Sequence, residues 1–158
     1  MGVEMQLKVT EEIKKQVVQQ VCHPGESINA VAYGALMDNS LGVMILGTYF
    51  GAIGAAITAS YHRYGFIIAT NEGIRVVSLN SMNTSTIKEV YEIPYSEMTK
   101  VKYVKGSFKS HFVKFNYGKQ KYKLVLREKA GRSIQNQKEN VQYMVQMLTN
   151  LQASQKVA

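Results

Sequence analysis

Five lysines stand at near-alternating positions in three consecutive segments. Lys100 and Lys102 lie in TKVKYVK (99–105), Lys114 in HFVKFNY (111–117), and Lys121 and Lys123 in KQKYKLVLR (119–127). Alternation with a period of two marks a half-buried strand. Val101 and Tyr103, then Val113, Phe115 and Tyr117, then Tyr122, Leu124 and Leu126 take the opposite parity. If the three strands are neighbours, the ammonium groups gather on one face. Such a stripe makes and breaks no bonds; it attracts anions, by about 1 kcal/mol per charge at an anionic lipid surface. Nucleic-acid phosphates would use the same residues. Against them, the chain has no arginine-rich helix to read a groove, and its aromatics take the inward parity rather than sitting among the lysines. The plain alternative is a solvated face whose lysines discourage edge pairing.

Other chemistry is hard to assemble. His23, His62 and His111 are far apart, and Cys22-His23 is an adjacent pair where a structural zinc needs four ligands. The sequence holds neither a phosphate-binding Gly-x-x-x-x-Gly-Lys-Ser/Thr loop nor a nucleophile elbow. Glu89, Glu92 and Glu97 sit on or beside one strand and read as rim charges balancing nearby lysines. The expectation is a protein that is not an enzyme, with no metal, cofactor or small-molecule substrate.

At 158 residues the chain reads as one domain with additions, large enough for its own core. A single cysteine excludes an internal disulfide and suggests a reducing compartment. MGVEMQLKV has no basic and apolar regions of a secretory signal, and Gly2 lacks the Ser or Thr of a myristoylation motif. Charge is divided unevenly. Residues 1–60 carry three lysines and five acids, whereas residues 61–158 carry sixteen Lys or Arg and six acids. An excess of cations on one part points to an anionic partner.

A second feature competes with the lysines for attention. LGVMILGTYFGAIGAAITAS (41–60) is uncharged and mostly apolar. As a helix its apolar residues would reach about 28 Å, close to a bilayer core. Asp38, Asn39 and Ser40 offer a helix start, and His62 and Arg63 a cationic end, an order that would leave residues 61–158 in the cytoplasm. Leu46, Tyr49, Phe50, Ile53 and Ile57 form a bulky stripe, beside a small-residue stripe containing Gly47, Gly51 and Ala55. A helix apolar all round must be covered, by lipid or by protein. Embedding in or dipping into a membrane, burial in a homo-oligomer, and a full span all remain open. A full span conflicts with a first strand at 27–35, because it would part that strand from the rest by a bilayer.

The elements around these features are legible. TEEIKKQVVQQV (10–21) is an amphipathic helix capped by Thr10, with Ile13, Val17 and Val21 on one face, and Pro24-Gly25 ends it. SINAVAYGA (27–35) reads as a strand. YHRYGFIIAT and IRVVSLN form a hairpin about Asn71-Glu72-Gly73, and KEVYEIP is a strand closing at Pro94. Val141, Met144, Val145, Leu148 and Leu151 stripe a terminal helix near 135–152. About seven short strands followed by a helix make an α+β fold, a small antiparallel barrel or bent sandwich plugged by that helix.

GESINAVAYG, YGFIIATNEGIRVVSL and YEIPYSEMTKVKYVKG, followed by an alternating hairpin and a terminal helix, resemble the bacterial pleckstrin-homology-like domains of the YokE type. "IIATNEGI" and "IPYSEM" are the most specific pieces. The resemblance covers roughly residues 25–152. It implies a PH-like domain preceded by a helix at 1–24, interrupted by an apolar helical insertion at 40–60 between the first two strands, and followed by a tail at 153–158. The family's loop between those strands commonly meets membranes. The expected function is a membrane-associating module at the inner face of the cell membrane, its insertion embedding and its lysines meeting anionic headgroups. The alternative is a self-assembling structural protein whose insertion forms the subunit interface.

Overall fold

The computed structural model describes residues 9–38, 63–79, 86–107, 109–129 and 134–157. The apolar stretch lies outside them, and with it Leu46, Gly47, Tyr49, Phe50, Gly51, Ile53, Ala55 and Ile57. Helix α1 spans Glu11–Val21; Thr10 caps it by accepting the Ile13 amide at 3.2 Å, and Glu11 and Glu12 occupy the positive end of its dipole. Seven strands follow: β1 (Ile28–Asp38), β2 (Arg63–Thr70), β3 (Gly73–Leu79), β4 (Ile87–Pro94), β5 (Met98–Lys105), β6 (Ser110–Tyr117) and β7 (Gln120–Arg127). A single 3-10 turn, Tyr95–Glu97, joins β4 to β5, and helix α2 spans Gln137–Val157. This helix runs past the boundary near 152 that the apolar stripe suggested, because LQASQKV holds good helix formers and no breaker.

The strands form one antiparallel sheet in the order β4-β3-β2-β1-β7-β6-β5. Its inner face packs Leu36, Ile67, Val76, Val113, Phe115 and Leu124 against Val141, Met144 and Leu148 of α2. These are the stripe residues of the terminal helix, and all three are buried. The outer face is covered only in part. Helix α1 lays Val17 over Phe66, Ile68 and Val77, and Ile134 closes the same cluster. All seven residues of β3 are therefore buried, since a helix or its flanking chain lies over each side.

Gly34 of β1 and Gly65 of β2 face each other in register. A β-carbon on Gly65 would fall 1.7 Å from the Val77 carbonyl oxygen, and one on Gly34 would fall 2.6 Å from that of Val125. Neither position has room for a side chain. At Gly34 β1 changes partners: it pairs with β2 from Ile28 to Leu36 but with β7 only from Gly34 to Asp38. Among the described residues, the first half of β1 thus lacks a strand on its β7 side.

Side-chain amides of α2 fill that gap. Gln137 accepts the Tyr33 amide at 3.0 Å and donates to the Tyr33 and Arg127 carbonyls at 2.9 and 2.8 Å. Asn140 accepts the Val31 amide at 3.4 Å. Further along the helix, Gln152 accepts the Tyr103 amide at 2.9 Å. Gln155 accepts the Val101 amide and donates to the Met98 carbonyl. These backbone groups lie in the plane of the sheet, so the sheet must curl for both β1 and β5 to reach one helix. The helix stands in for the missing strand and satisfies buried donors and acceptors that would otherwise be costly.

Candidate functional site

The register of β5, β6 and β7 turns the lysine alternation into a row. Lys102 pairs with Lys114, Lys114 pairs with Lys123, and Lys123 pairs in turn with Met37 of β1. Neighbouring strands lie about 4.8 Å apart, so two like-charged pairs face each other directly. That arrangement repels itself and is relieved by an anion. Lys102 and Lys114 are exposed and Lys123 half-buried. The lysine and arginine ion pairs among the described residues are formed by Lys14 and Arg75, not by this row.

Two of the five expected lysines stand apart from it. Lys121 pairs with Asn116, two residues nearer the β6–β7 turn. Lys100 lies in the irregularity between Thr99 and Lys102 with a left-handed φ of 51°, so strict alternation fails there and Lys100 leaves the row. The left-handed region is uncommon for a residue with a β-carbon, and the bulge is what demands it.

The lysine face also carries an aromatic that the inward-parity reading passed over. Phe112 shares parity with Lys114, and the Lys123 ammonium sits 5.1 Å from the centre of its ring. Phe112 is half-buried and pairs with Val104 on one side and Val125 on the other. An apolar row, Val104–Phe112–Val125, thus runs beside the basic one. The signal was in HFVKFNY all along: Phe112 precedes Lys114 by two residues.

Position along the strands ties this face to the apolar stretch. Met37 and Asp38 end β1, Arg63 begins β2, and residues 39–62 join them. Asp38 pairs with Tyr122 and Met37 with Lys123, so the chain enters residues 39–62 beside the Lys123 end of the row and returns at Arg63, across β1 from it.

The other polar clusters serve the fold. Arg75, 8% exposed, donates to Glu26 from both terminal nitrogens at 2.8 Å, to Glu92 at 3.1 Å and to the Val21 carbonyl at 3.2 Å. The guanidinium, with the His23 amide, holds the Glu26 carboxyl down at about 2. The same carboxylate raises the Arg75 pKa further. A shallow cleft of about 450 Å³ beside this clasp is lined by residues 23–27 and Thr70–Glu72. On the inner face Tyr103 and Glu128 flank the buried His111, each 2.7 Å from one ring nitrogen, and the His111 hydrogen bond draws the Glu128 pKa down. No group of three or more metal-ligating side chains occurs among the described residues.

A family model described as "Bacterial PH domain" matches residues 7–150. The chain belongs to that family. A bacterial PH domain is thus the frame for the lysine face, and the match takes in α1 and α2 as far as residue 150. Families of this kind are general modules, many of them binding lipid or protein, and are typically non-catalytic. Among solved structures, the chain is similar to the hSac2 domain from the human phosphoinositide phosphatase Sac2. The TM-score is 0.48 at 11% identity, over 93% of this chain and 85% of that one. No curated protein matches the sequence. No helix among the described residues is long and apolar enough to cross a membrane.

Proposed function

We propose that this bacterial PH domain is a non-enzymatic module that binds the cytoplasmic face of a membrane. The Lys102–Lys114–Lys123 row meets anionic headgroups, and the apolar residues 41–60 enter the bilayer beside it. One observation carries the reading: a row of three lysines in register ends, at Lys123, beside the end of β1 from which the apolar stretch departs. Phe112 and Val104 add an apolar margin that suits the boundary between headgroup and acyl chain.

Co-sedimentation of the full chain with vesicles tests this. Wild type binds vesicles containing phosphatidylserine more tightly than phosphatidylcholine vesicles, and the preference fades with salt because exposed charges are screened over about 8 Å at physiological ionic strength. Three contacts of about 1 kcal/mol each amount to a preference of roughly a hundredfold at low salt. The variant with Lys102, Lys114 and Lys123 changed to Gln loses that preference while keeping its thermal transition. Equal binding to both vesicles by wild type, or an undiminished preference in the variant, would overturn the proposal.

A further inference from the structure

Phe112 is held in place by two neighbours on the outer face. Its ring lies against the backbone of Gly106, where a β-carbon would fall 2.4 Å from a ring carbon. The Lys123 ammonium lies 5.1 Å from the ring centre. Lys123 pairs in register with Lys114, whereas Phe112 pairs with Val125, so the lysine reaches diagonally across the two strands to the ring. It thereby exchanges a facing like charge for the negative face of an aromatic. Val104, the partner of Phe112 on β5, is 36% exposed. No Asp or Glu occurs in β5, β6 or β7, and Arg127 adds an exposed cation beyond Val125. An apolar pair set among cations, with no acid in the same strands, complements an anionic bilayer surface.

We propose that Phe112 is a side chain of this face that enters the bilayer boundary, and that Lys123 uncovers it only at an anionic surface. The inference rests on the membrane reading above and adds to it the residue that inserts and the condition for insertion. A cation–π contact at an exposed site is a weak attraction. A lipid phosphate between Lys114 and Lys123 accepts a charge-assisted hydrogen bond from each and relieves their mutual repulsion. The headgroup therefore prevails over the ring, and Lys123 swings from Phe112 to the phosphate. Phe112 and Val104 then present an apolar surface to the acyl chains while the lysines stay at headgroup level. A surface without net negative charge does not draw the ammonium away, and the ring stays beneath it.

Tryptophan fluorescence tests this. The sequence contains no tryptophan, so Phe112→Trp in the full chain places a single emitter at this point. Vesicles of phosphatidylcholine, with or without phosphatidylserine, are prepared with acyl chains brominated to quench on contact. With phosphatidylserine present, Phe112→Trp emission shifts to shorter wavelength and is quenched. With phosphatidylcholine alone it does neither, even where the chain pellets with those vesicles through other residues. Adding Lys123→Gln to Phe112→Trp removes the cover, so quenching occurs with both kinds of vesicle. Tyr143→Trp, at a 45% exposed position on α2, stays unquenched with both. Val104→Trp repeats the measurement should Phe112→Trp lose the wild-type thermal transition. A chain that pellets preferentially with phosphatidylserine vesicles while Phe112→Trp and Val104→Trp stay unquenched overturns this inference and leaves the membrane reading standing. Equal quenching of Phe112→Trp by both vesicles overturns the role of Lys123, as does a Lys123→Gln variant still unquenched by phosphatidylcholine. A chain with no preference for phosphatidylserine in pelleting overturns both readings.

Discussion

Arg75 of β3 and Glu26, in the link between α1 and β1, are joined by two N–H···O bonds of 2.8 Å each. This paired geometry is the strongest form a side-chain ion pair takes. It secures the link that returns the chain from α1 to the sheet, and the Val21 carbonyl at the end of α1 is bound by the same guanidinium.

The pair makes the fold acid-sensitive in a defined window. Glu26 has a pKa of about 2 in the folded chain against an ordinary value of 4.5. A carboxyl depressed by folding stabilises the fold above its unfolded pKa, and that contribution is lost as pH falls from about 4.5 to about 2. Thermal melts of wild type should decline over this interval. Glu26→Gln should melt lower at neutral pH and lose the part of the decline that Glu26 contributes. Equal pH profiles for the two proteins would contradict the assignment.

Gly65→Ala should be among the most damaging single-methyl changes in the chain. Its β-carbon would collide with the backbone of Val77 rather than with a flexible side chain. The cost should exceed the 0.5–1 kcal/mol or so that glycine's flexibility ordinarily sets, in the opposite direction to a usual Gly→Ala gain in a strand. Chemical denaturation of the variant measures it, and a stability equal to wild type would show that β2 and β3 can separate at little cost.

Gln137→Leu tests the amide that completes β1. The substitution keeps much of the side-chain volume but leaves the Tyr33 amide and the Tyr33 and Arg127 carbonyls without this partner. The expected loss is about 1–3 kcal/mol in denaturant unfolding. Lys138→Leu, at an exposed neighbouring position on the same helix, should change stability by less than about 0.5 kcal/mol.

Period-two alternation carried most of the fold into view, because each of β5 to β7 has one wet face and one dry face. The Asn71–Gly73 turn was equally legible, and Thr70 closes it by donating to the Gly73 carbonyl at 3.1 Å and accepting the Glu72 and Gly73 amides at 3.3 Å. Register was a different matter. Whether Lys114 would face Lys123 or Lys121 depends on how the Tyr117–Gln120 turn closes, which lysine spacing within each strand does not reveal. Lys100 failed for a related reason: a bulge shows only where two strands must keep step. The Glu26–Arg75 clasp links positions 49 residues apart, and nothing local to either residue announces it. Gln137, Asn140, Gln152 and Gln155 look like an ordinary polar helix face. Their role appears only once the strands beside them are seen to lack neighbours.

Those amides also close the β5 edge to other strands. A sheet open at both edges is divalent, and each copy added exposes a fresh edge for the next, which is how strand pairing grows into fibres. With α2 seated along β5, the described sheet offers no place for a further strand at that edge. A helix that began as a plug for the core thereby acts as a chain terminator at the β5 edge.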